Sequence, residues 1–426
     1  MMKLKLHKIL GMVMGVALIL LAFVATSCER KDLWLRQDQA TIEIAIYDIR
    51  LDLLWGVTWE AEWQYSWDTE LDGEFGYTQP EYIRASIYEL DQQNGMKRQS
   101  PYTKNFPVGG GRVTLKTSAW YDMLFYNAGT EYTLFQQGAD YDYYSASTRT
   151  SDYVPVITRG SEEDQEGREV AKDYTSYKQP DELFGSFIQD LEVSPDPDRY
   201  EKKVDETTGE IIYLYNIKAD MQPYSYIYML QVMILNNHDA EGEIISLKRA
   251  TAPGDTIRYG ATGMTMTGLA QGVELFSRKT YSNTCSVTID ESSIKSVTKN
   301  QLLTLPDSTK AIGDIFAARM LTWGLPGIVP MKELEAVRAG TTTASYKDRN
   351  KLGVKFYLRN GYTHTEVFDV TEQMRKRPCG GVITVVFDAA KSVSDDELNQ
   401  KPTSSGGGFN ASVENWQNEV NADVTI

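Results

Sequence analysis

Cys28 is the residue whose type and position specify a reaction. It closes the run Leu21-Ala22-Phe23-Val24-Ala25-Thr26-Ser27-Cys28. Lys3, Lys5 and Lys8 make a basic start, and Ile9 to Val24 carries no charge. Ala25, Thr26 and Ser27 are small, as the groove of a signal peptidase requires. A cysteine at that cleavage point takes a diacylglycerol on its thiol and becomes the new N-terminus. The apolar run is short for a membrane-spanning helix, which wants about 20 residues. The sequence therefore predicts a lipoprotein signal peptide over residues 1–27 and lipidation of Cys28, with outer-membrane lipid as the partner of that thiol. Val24 stands before the small triplet where a Leu is more usual, so the lipobox is a loose one.

Other reactive residues form no constellation. Of three histidines, His7 lies in the leader, His238 follows Asn236-Asn237, and His364 sits alone in a strand-like run. There is no nucleophile elbow, phosphate loop or zinc-binding HExxH pattern. No Cys/His cluster has metal-ligand spacing, and no cofactor is expected. After lipidation, Cys285 and Cys379 remain, either as a disulfide or as two buried thiols. Among 59 acidic residues, chance closeness of two carboxylates says nothing about glycoside hydrolysis. Trp34, Trp55, Trp59, Trp63 and Trp67 crowd the N-terminal region. Trp55, Trp59 and Trp63 are candidates for stacking on a glycan, although packing against strands is the commoner role. Their four-residue spacing would line one face of a helix, but Gly56 and Thr58 work against one.

Charge narrows the partners. The chain has 43 Lys+Arg against 59 Asp+Glu, and losing the leader takes its formal net charge from −16 to −19. Nucleic acid and anionic membrane surfaces need a basic footprint, so neither is expected to bind the folded body.

The elements that must carry these residues alternate with a period of two. Thr41 to Tyr47, Arg84 to Leu90 and Arg112 to Thr117 each place apolar side chains on one face, with aromatic runs at 120–127 and 131–136. Asn94-Gly95, Gly109-Gly110-Gly111, Gly129 and Gly138 supply turns, the pattern of short antiparallel strands in a sandwich. Residues 139–208 are rich in Asp, Glu, Ser, Tyr and Pro. They are expected to form long acidic loops with a short helix near Asp181 to Leu191. A second β region follows. Tyr224 to Ile234 is apolar on both faces, Gly260 to Phe276 is a small-residue strand and turn, and Cys285 to Ile289 alternates. Ile315 to Trp323 has a helical composition. Lys355 to Leu358 and His364 to Val370 read as a hairpin across Asn360-Gly361, and Gly381 to Phe387 as the last strong strand. Beyond Lys391 the chain becomes acidic and Gly/Ser-rich, like a linker. The expected division is a leader at 1–27, a lipidated linker at 28–39, β domains at 40–208 and 209–390, and a tail at 391–426.

Several short segments, in order, resemble the fimbrillin-like lipoproteins of Bacteroidales, above all the anchor and accessory subunits of their fimbriae. They are Cys28-Glu29-Arg30-Lys31-Asp32-Leu33, Met264 to Val273, Thr322 to Gly327, Phe368 to Met374 and Pro378 to Ile383. The resemblance covers roughly residues 28–390. Cys379 stands where that pattern has a basic or polar residue, and the Trp-rich and acidic N-terminal half departs from it. The resemblance implies two tandem β-sandwich domains of transthyretin-like topology. It implies a surface-exposed, lipid-anchored outer-membrane protein that joins other fimbrial subunits by β-strand addition. Arg36 and Arg50 are candidate sites for an Arg-directed protease. Residues 41–47 and 409–426 are candidates for the exchanged strand. The alternatives are a glycan-binding lipoprotein of a polysaccharide-uptake system, for which a glycan or host surface would be the ligand, and a surface hydrolase with a carboxylate pair.

Overall fold

The structure is a computed structural model that describes residues 39–47, 59–163, 169–204, 209, 211–237, 248–249, 258–259, 261–295, 298–341, 350–358 and 362–399. The fold is all-β. In the first half the principal strands are β1 (Gln39–Tyr47), β2 (Tyr82–Asp91), β3 (Tyr102–Pro107), β4 (Gly110–Lys116), β5 (Ala119–Tyr126) and β6 (Thr133–Gln137). They continue with β7 (Tyr144–Thr148), β8 (Ser176–Tyr177), β9 (Phe184–Val193), β10 (Glu201–Val204) and β11 (Ile211–Asp220). The second half holds β12 (Tyr226–Leu235), β13 (Ala261–Ala270), β14 (Gly272–Glu274), β15 (Thr284–Asp290) and β16 (Thr298–Thr304). It ends with β17 (Lys310–Thr322), β18 (Lys351–Tyr357), β19 (Thr363–Asp369) and β20 (Gly381–Asp388). Short helices punctuate these strands: α1 (Trp59–Glu62), α2 (Thr69–Asp72), α3 (Pro330–Arg338), α4 (Thr371–Lys376), α5 (Ala389–Ser392) and α6 (Asp395–Asn399).

These strands build four principal sheets. Sheet I has the order β10-β11-β1-β4, and sheet II is built on β9, β5, β2 and β3. Sheet III runs β8-β15-β13-β18-β19, and sheet IV runs β16-β17-β12-β20. Sheets I and II enclose a core of Ile42, Ile44, Ile83, Ile87, Val113, Met123 and Phe125. Sheets III and IV enclose a second, with Leu230, Val232, Met264, Met266, Phe316, Phe356 and Ile383. Each is a β-sandwich, with alternate residues of each strand pointing inward as a pleated ribbon dictates. A small sheet of β6, β7 and β14, separate in its hydrogen bonding, packs on the outer face of sheet II through Phe135, Ala146 and Val273.

Two expected helices are strands. Asp181 to Leu191 falls largely in β9, which pairs antiparallel with β5 through a bulge between Ile188 and Leu191. Ile315 to Trp323 falls largely in β17, which pairs antiparallel with β12 from Gly313↔Leu235 to Thr322↔Tyr226. Ile315, Phe316, Ala317, Ala318 and Met320 are all buried, toward two different cores. A short run apolar on both faces has no periodicity to separate helix from central strand, and tertiary pairing decides. Residues 139–208, expected as loops, contribute β7 to β10. The Asn360-Gly361 turn lies outside the described residues, but the strands that it would join pair from Lys351↔Asp369 to Tyr357↔Thr363.

Strand pairing also moves the expected divisions. β11 lies C-terminal to residue 208, yet it pairs with β1 in sheet I, and Gln222–Pro223 pairs with β9. The first sandwich therefore runs through Pro223. At the other end, Val393 and Leu398 are buried in the second core, so packed chain continues to the end of α6 rather than stopping at 390.

Gly110 shows how closely β1 is held. Its φ of +102° is one that L side chains rarely adopt, and a Cβ there would stand 2.0 Å from the Ile44 carbonyl oxygen. Gly110→Ala is expected to lower stability by about 2 kcal/mol or more in urea unfolding. Gly109→Ala, where a Cβ meets nothing within 4 Å, should be near neutral. Equal effects at the two positions would contradict this account of β1.

Candidate functional site

β1 is the candidate strand that the structure describes. It pairs parallel with β11 from Thr41↔Leu214 to Tyr47↔Asp220, and antiparallel with β4 from Gln39↔Lys116 to Ala45↔Gly110. Ala40, Ile42, Ile44 and Ile46 point into the first core and are buried. On the opposite face, Glu43 accepts from Lys203 Nζ at 2.9 Å and from Arg112 at 3.3 Å. The Lys203 ammonium foremost, with Arg112, holds the Glu43 carboxyl below its usual range. A strand seated this way fills a groove with four apolar side chains and supplies ladder partners to both neighbours. Those are the two components of recognition by β-augmentation. The other candidate, residues 409–426, lies outside the described residues.

The chain next described after β1 crosses to the second sandwich. Gln231, in the middle of β12 and fully buried, accepts from the Gln64 N–H at 3.1 Å and donates to the Glu62 carbonyl at 2.7 Å. Gln64 in turn donates to the Thr304 carbonyl at 2.7 Å and accepts from the Thr304 N–H at 2.7 Å. Each carboxamide thus meets a backbone as another strand would, with one donor and one acceptor. Glu62 also pairs with Arg377 at 2.6 Å. Further on, Arg319 donates to the carbonyls of Phe75 and Gly76 and pairs with Glu182, while the Tyr77 hydroxyl donates to the Ser225 carbonyl. Residues 62–77 form a strap across the outer face of sheet IV. One sequence signal could have found it: Gln231 is a lone carboxamide in an otherwise apolar strand.

The strap decides the place of the tryptophans. Trp63 makes edge contacts with Tyr65 at 6.0 Å and Phe75 at 5.9 Å, and it packs against both the first core and the cluster of Met233, Leu303, Ile315 and Ala317. Its indole nitrogen is buried without a hydrogen-bond partner among the described residues. Trp67 donates to the Gly73 carbonyl and lies under Lys295. Helix α1 ends at Glu62, so Trp63 and Trp67 share no helical face. Trp63 packs against both clusters and stays partly exposed. Trp34 and Trp55 lie outside the described residues, as does the Trp59 side chain.

A cavity of about 330 Å³ opens beside the strap, lined in part by Thr78, Glu81, Tyr82, Asp181 and Glu182. Its inner carboxylates are committed elsewhere. Asp181 accepts the backbone N–H groups of Glu131, Tyr132 and Thr133, and Glu182 accepts from Thr78 and Arg319. Carboxylates bound in this way organise loops. Cys285 and Cys379 are both buried thiols with no disulfide between them, the second of the two alternatives that the sequence left open. Burial pushes the Cys379 thiol well above its usual range. His364 lies between Glu366 on Nε2 at 3.1 Å and Glu397 on Nδ1 at 3.0 Å, and so ties α6 to β19. Cys28, Arg36, Arg50 and His238 lie outside the described residues.

Residues 70–235 match a family model described as a domain of unknown function, DUF5119. No curated protein matches the chain. The chain is similar to solved structures from Bacteroidales. A putative adhesin from Bacteroides ovatus shares 15% identity at a TM-score of 0.42, covering 89% of this chain and 98% of that one. A putative adhesin from Bacteroides thetaiotaomicron shares 7% at 0.36, covering 82% and 92%. The fimbrial anchor protein Mfa2 from Porphyromonas gingivalis shares 9% at 0.31, covering 82% and 90%.

Two measurements check these placements. Trp63→Ala is expected to cost about 3 kcal/mol in chemical unfolding through lost packing. A variant of unchanged stability that loses retention on polysaccharide would instead make Trp63 a ligand platform. The hydrogen bond from His364 foremost, with those from Ser394, lowers the Glu397 pKa from its ordinary 4.5. A carboxylate with a depressed folded pKa contributes stability above its unfolded pKa and loses it as pH falls through the folded value. Docking of α6 should therefore weaken on acidification below about pH 4.5, read by proteolysis near residue 399 with an acid-active protease. Glu397→Gln should flatten that dependence. An unchanged acid profile in the variant would remove Glu397 from this role.

Proposed function

We propose that this chain is a non-catalytic, lipid-anchored cell-surface protein, an anchor or accessory subunit of a fimbrium that takes part in adhesion. It reaches the outer membrane through the lipid on Cys28 and joins other subunits by strand addition. The observation that carries the reading is β1. It is an apolar strand near the proposed lipid attachment site, held between β4 and β11 by ladder bonds and by Ile42, Ile44 and Ile46. The same groove would accept an extended segment of a neighbouring subunit that presents apolar residues at every second position. Arg36 and Arg50 bracket β1, so cleavage at Arg50 would free the strand from the chain that follows. An uncut, lipidated chain would keep it.

The acidic net charge fits a soluble body held away from an anionic surface. Trp63 packs within the strap, which favours a structural use of that ring over a glycan platform. We therefore place adhesion in assembly contacts and keep polysaccharide uptake as the alternative.

Expression of the native chain and of Cys28→Ala, followed by mass spectrometry of the N-terminus and surface shaving, tests the proposal. The native chain should begin at a lipidated Cys28, be accessible on shaved cells and co-purify with high-molecular-weight fibres. Cys28→Ala should leave the membrane fraction. An N-terminus just after Arg36 or Arg50 would make the chain a polymerising subunit. A lipidated protein without fibres would favour the glycan-binding alternative.

A further inference from the structure

Sheets III and IV form a sandwich whose outer faces are both covered by chain from the first half of the sequence. On sheet IV, the strap at residues 62–77 lays Tyr65 over Met233, Leu303, Ile315 and Ala317, with Trp63 and Trp67 against them. The glutamine bridges and the contacts of Arg319 fix it there, while Ile227, Met229 and Leu321 of the same face enter the first core.

On sheet III, the cover is an arm from the long connection between β6 and β9. The outward residues of β13, β15 and β18 include Gly263, Thr265, Ser286, Thr288 and Gly353, all small, while Met264, Met266, Val287 and Val354 point inward. That small-residue face admits the arm. Val156 N–H donates to Thr265 Oγ1 at 2.8 Å, and Ile157 lies so close to Gly353 that a Cβ there would stand 2.4 Å from its Cγ1. The arm also adds strands across the boundary. β8 pairs parallel with β15 through Ser176↔Ser286, and β7 pairs antiparallel with β14 through Val273↔Ala146.

The grip is reciprocal. Trp323, Val273 and Leu275 of the second half pack with Tyr88, Leu124 and Tyr126 on the outer face of sheet II, and the Tyr224 hydroxyl donates to the Leu275 carbonyl at 2.7 Å.

We infer that the two sandwiches form one mechanical and folding unit, with the second held in a pincer of strap and arm and with no working hinge between them. Tandem domains joined by a linker open independently, and their relative motion is the default expectation. Here, opening the second sandwich requires the strap and arm to detach, which ties its opening to that of the first. This coupling goes beyond the proposed function and stands without it. Its consequence for a tethered protein is that load entering near β1 spreads through the strap into sheet IV instead of bending a joint.

Hydrogen exchange on the whole mature chain across a denaturant series tests the inference. It reads opening free energies segment by segment. Peptides from β5 and from β12 should open with the same free energy and the same denaturant slope. Glu62→Ala with Gln64→Ala should loosen the strap and accelerate exchange in β12 about tenfold relative to β5, since the side-chain bonds of Gln64 to Thr304 and of Glu62 to Arg377, worth about 1 kcal/mol each, are lost. Gly353→Ala, which displaces Ile157 from the other side, should uncouple the two in the same direction. Should the strap variant fail to fold, the native comparison and the arm variant still decide. Different opening free energies for β5 and β12 in the native chain would overturn the inference. So would variants in which the two segments still open together.

Discussion

A strand that is apolar on both faces has to be covered twice, and β12 imposes that requirement on the whole molecule. Its even-numbered residues fill the second core, and its odd-numbered residues face away from it. No two-sheet sandwich can satisfy both sides. The outward side is met by the first sandwich at Ile227 and Met229 and by the strap at Gln231 and Met233. Leaving Met233, Ile315 and Ala317 exposed would cost on the order of 25 cal/mol per Å² of apolar surface. Gln231 fixes the register of the strap, because a buried carboxamide is costly unless both its donor and its acceptor are used.

The same logic runs outward. Once the strap lies on sheet IV, the chain between β1 and β2 is committed to the second sandwich. The close seat of Gly110 against Ile44 keeps β1 in the first. Gln373 serves the far edge of sheet IV as Gln64 serves the near one, by donating to the Thr384 carbonyl and accepting from its N–H. Both edge strands of that sheet therefore have part of their backbone satisfied by a side-chain amide, which restrains edge-to-edge pairing with other chains.

Much of this was legible in the sequence. Alternation located β1, β2, β4 and β15, small residues marked β13, the apolar run 381–387 marked β20, and the doubly apolar run of β12 was visible before its purpose was. The Thr/Met alternation of β13 reads afterwards as one face for the core and one for the arm. What was hidden depends on distant pairing. The runs that became β9 and β17 carry no period of their own, and β11 joins β1 over more than 160 residues of sequence. The polar composition of residues 139–208 suggested loops because an arm lying on a surface presents polar residues to solvent even where it forms strands. For the candidate site, the apolar face of β1 was readable, but the parallel pairing and the glutamine bridges were not. The tryptophans read as packing residues more than as a ligand platform, and Trp63 packs within the strap. No local pattern distinguishes those two uses of an aromatic ring.

The account turns on β1 being a replaceable strand in a groove that keeps its shape. The direct test introduces a specific protease site between Tyr47 and Trp59, cuts the folded protein, and adds excess labelled peptide of residues 39–47. The account predicts slow replacement of the resident strand, one peptide per protein, with the fold retained. It also predicts that a peptide with polar residues at 42, 44 and 46 fails to enter. A cut protein that never exchanges β1, or that loses its fold when β1 leaves, would contradict it.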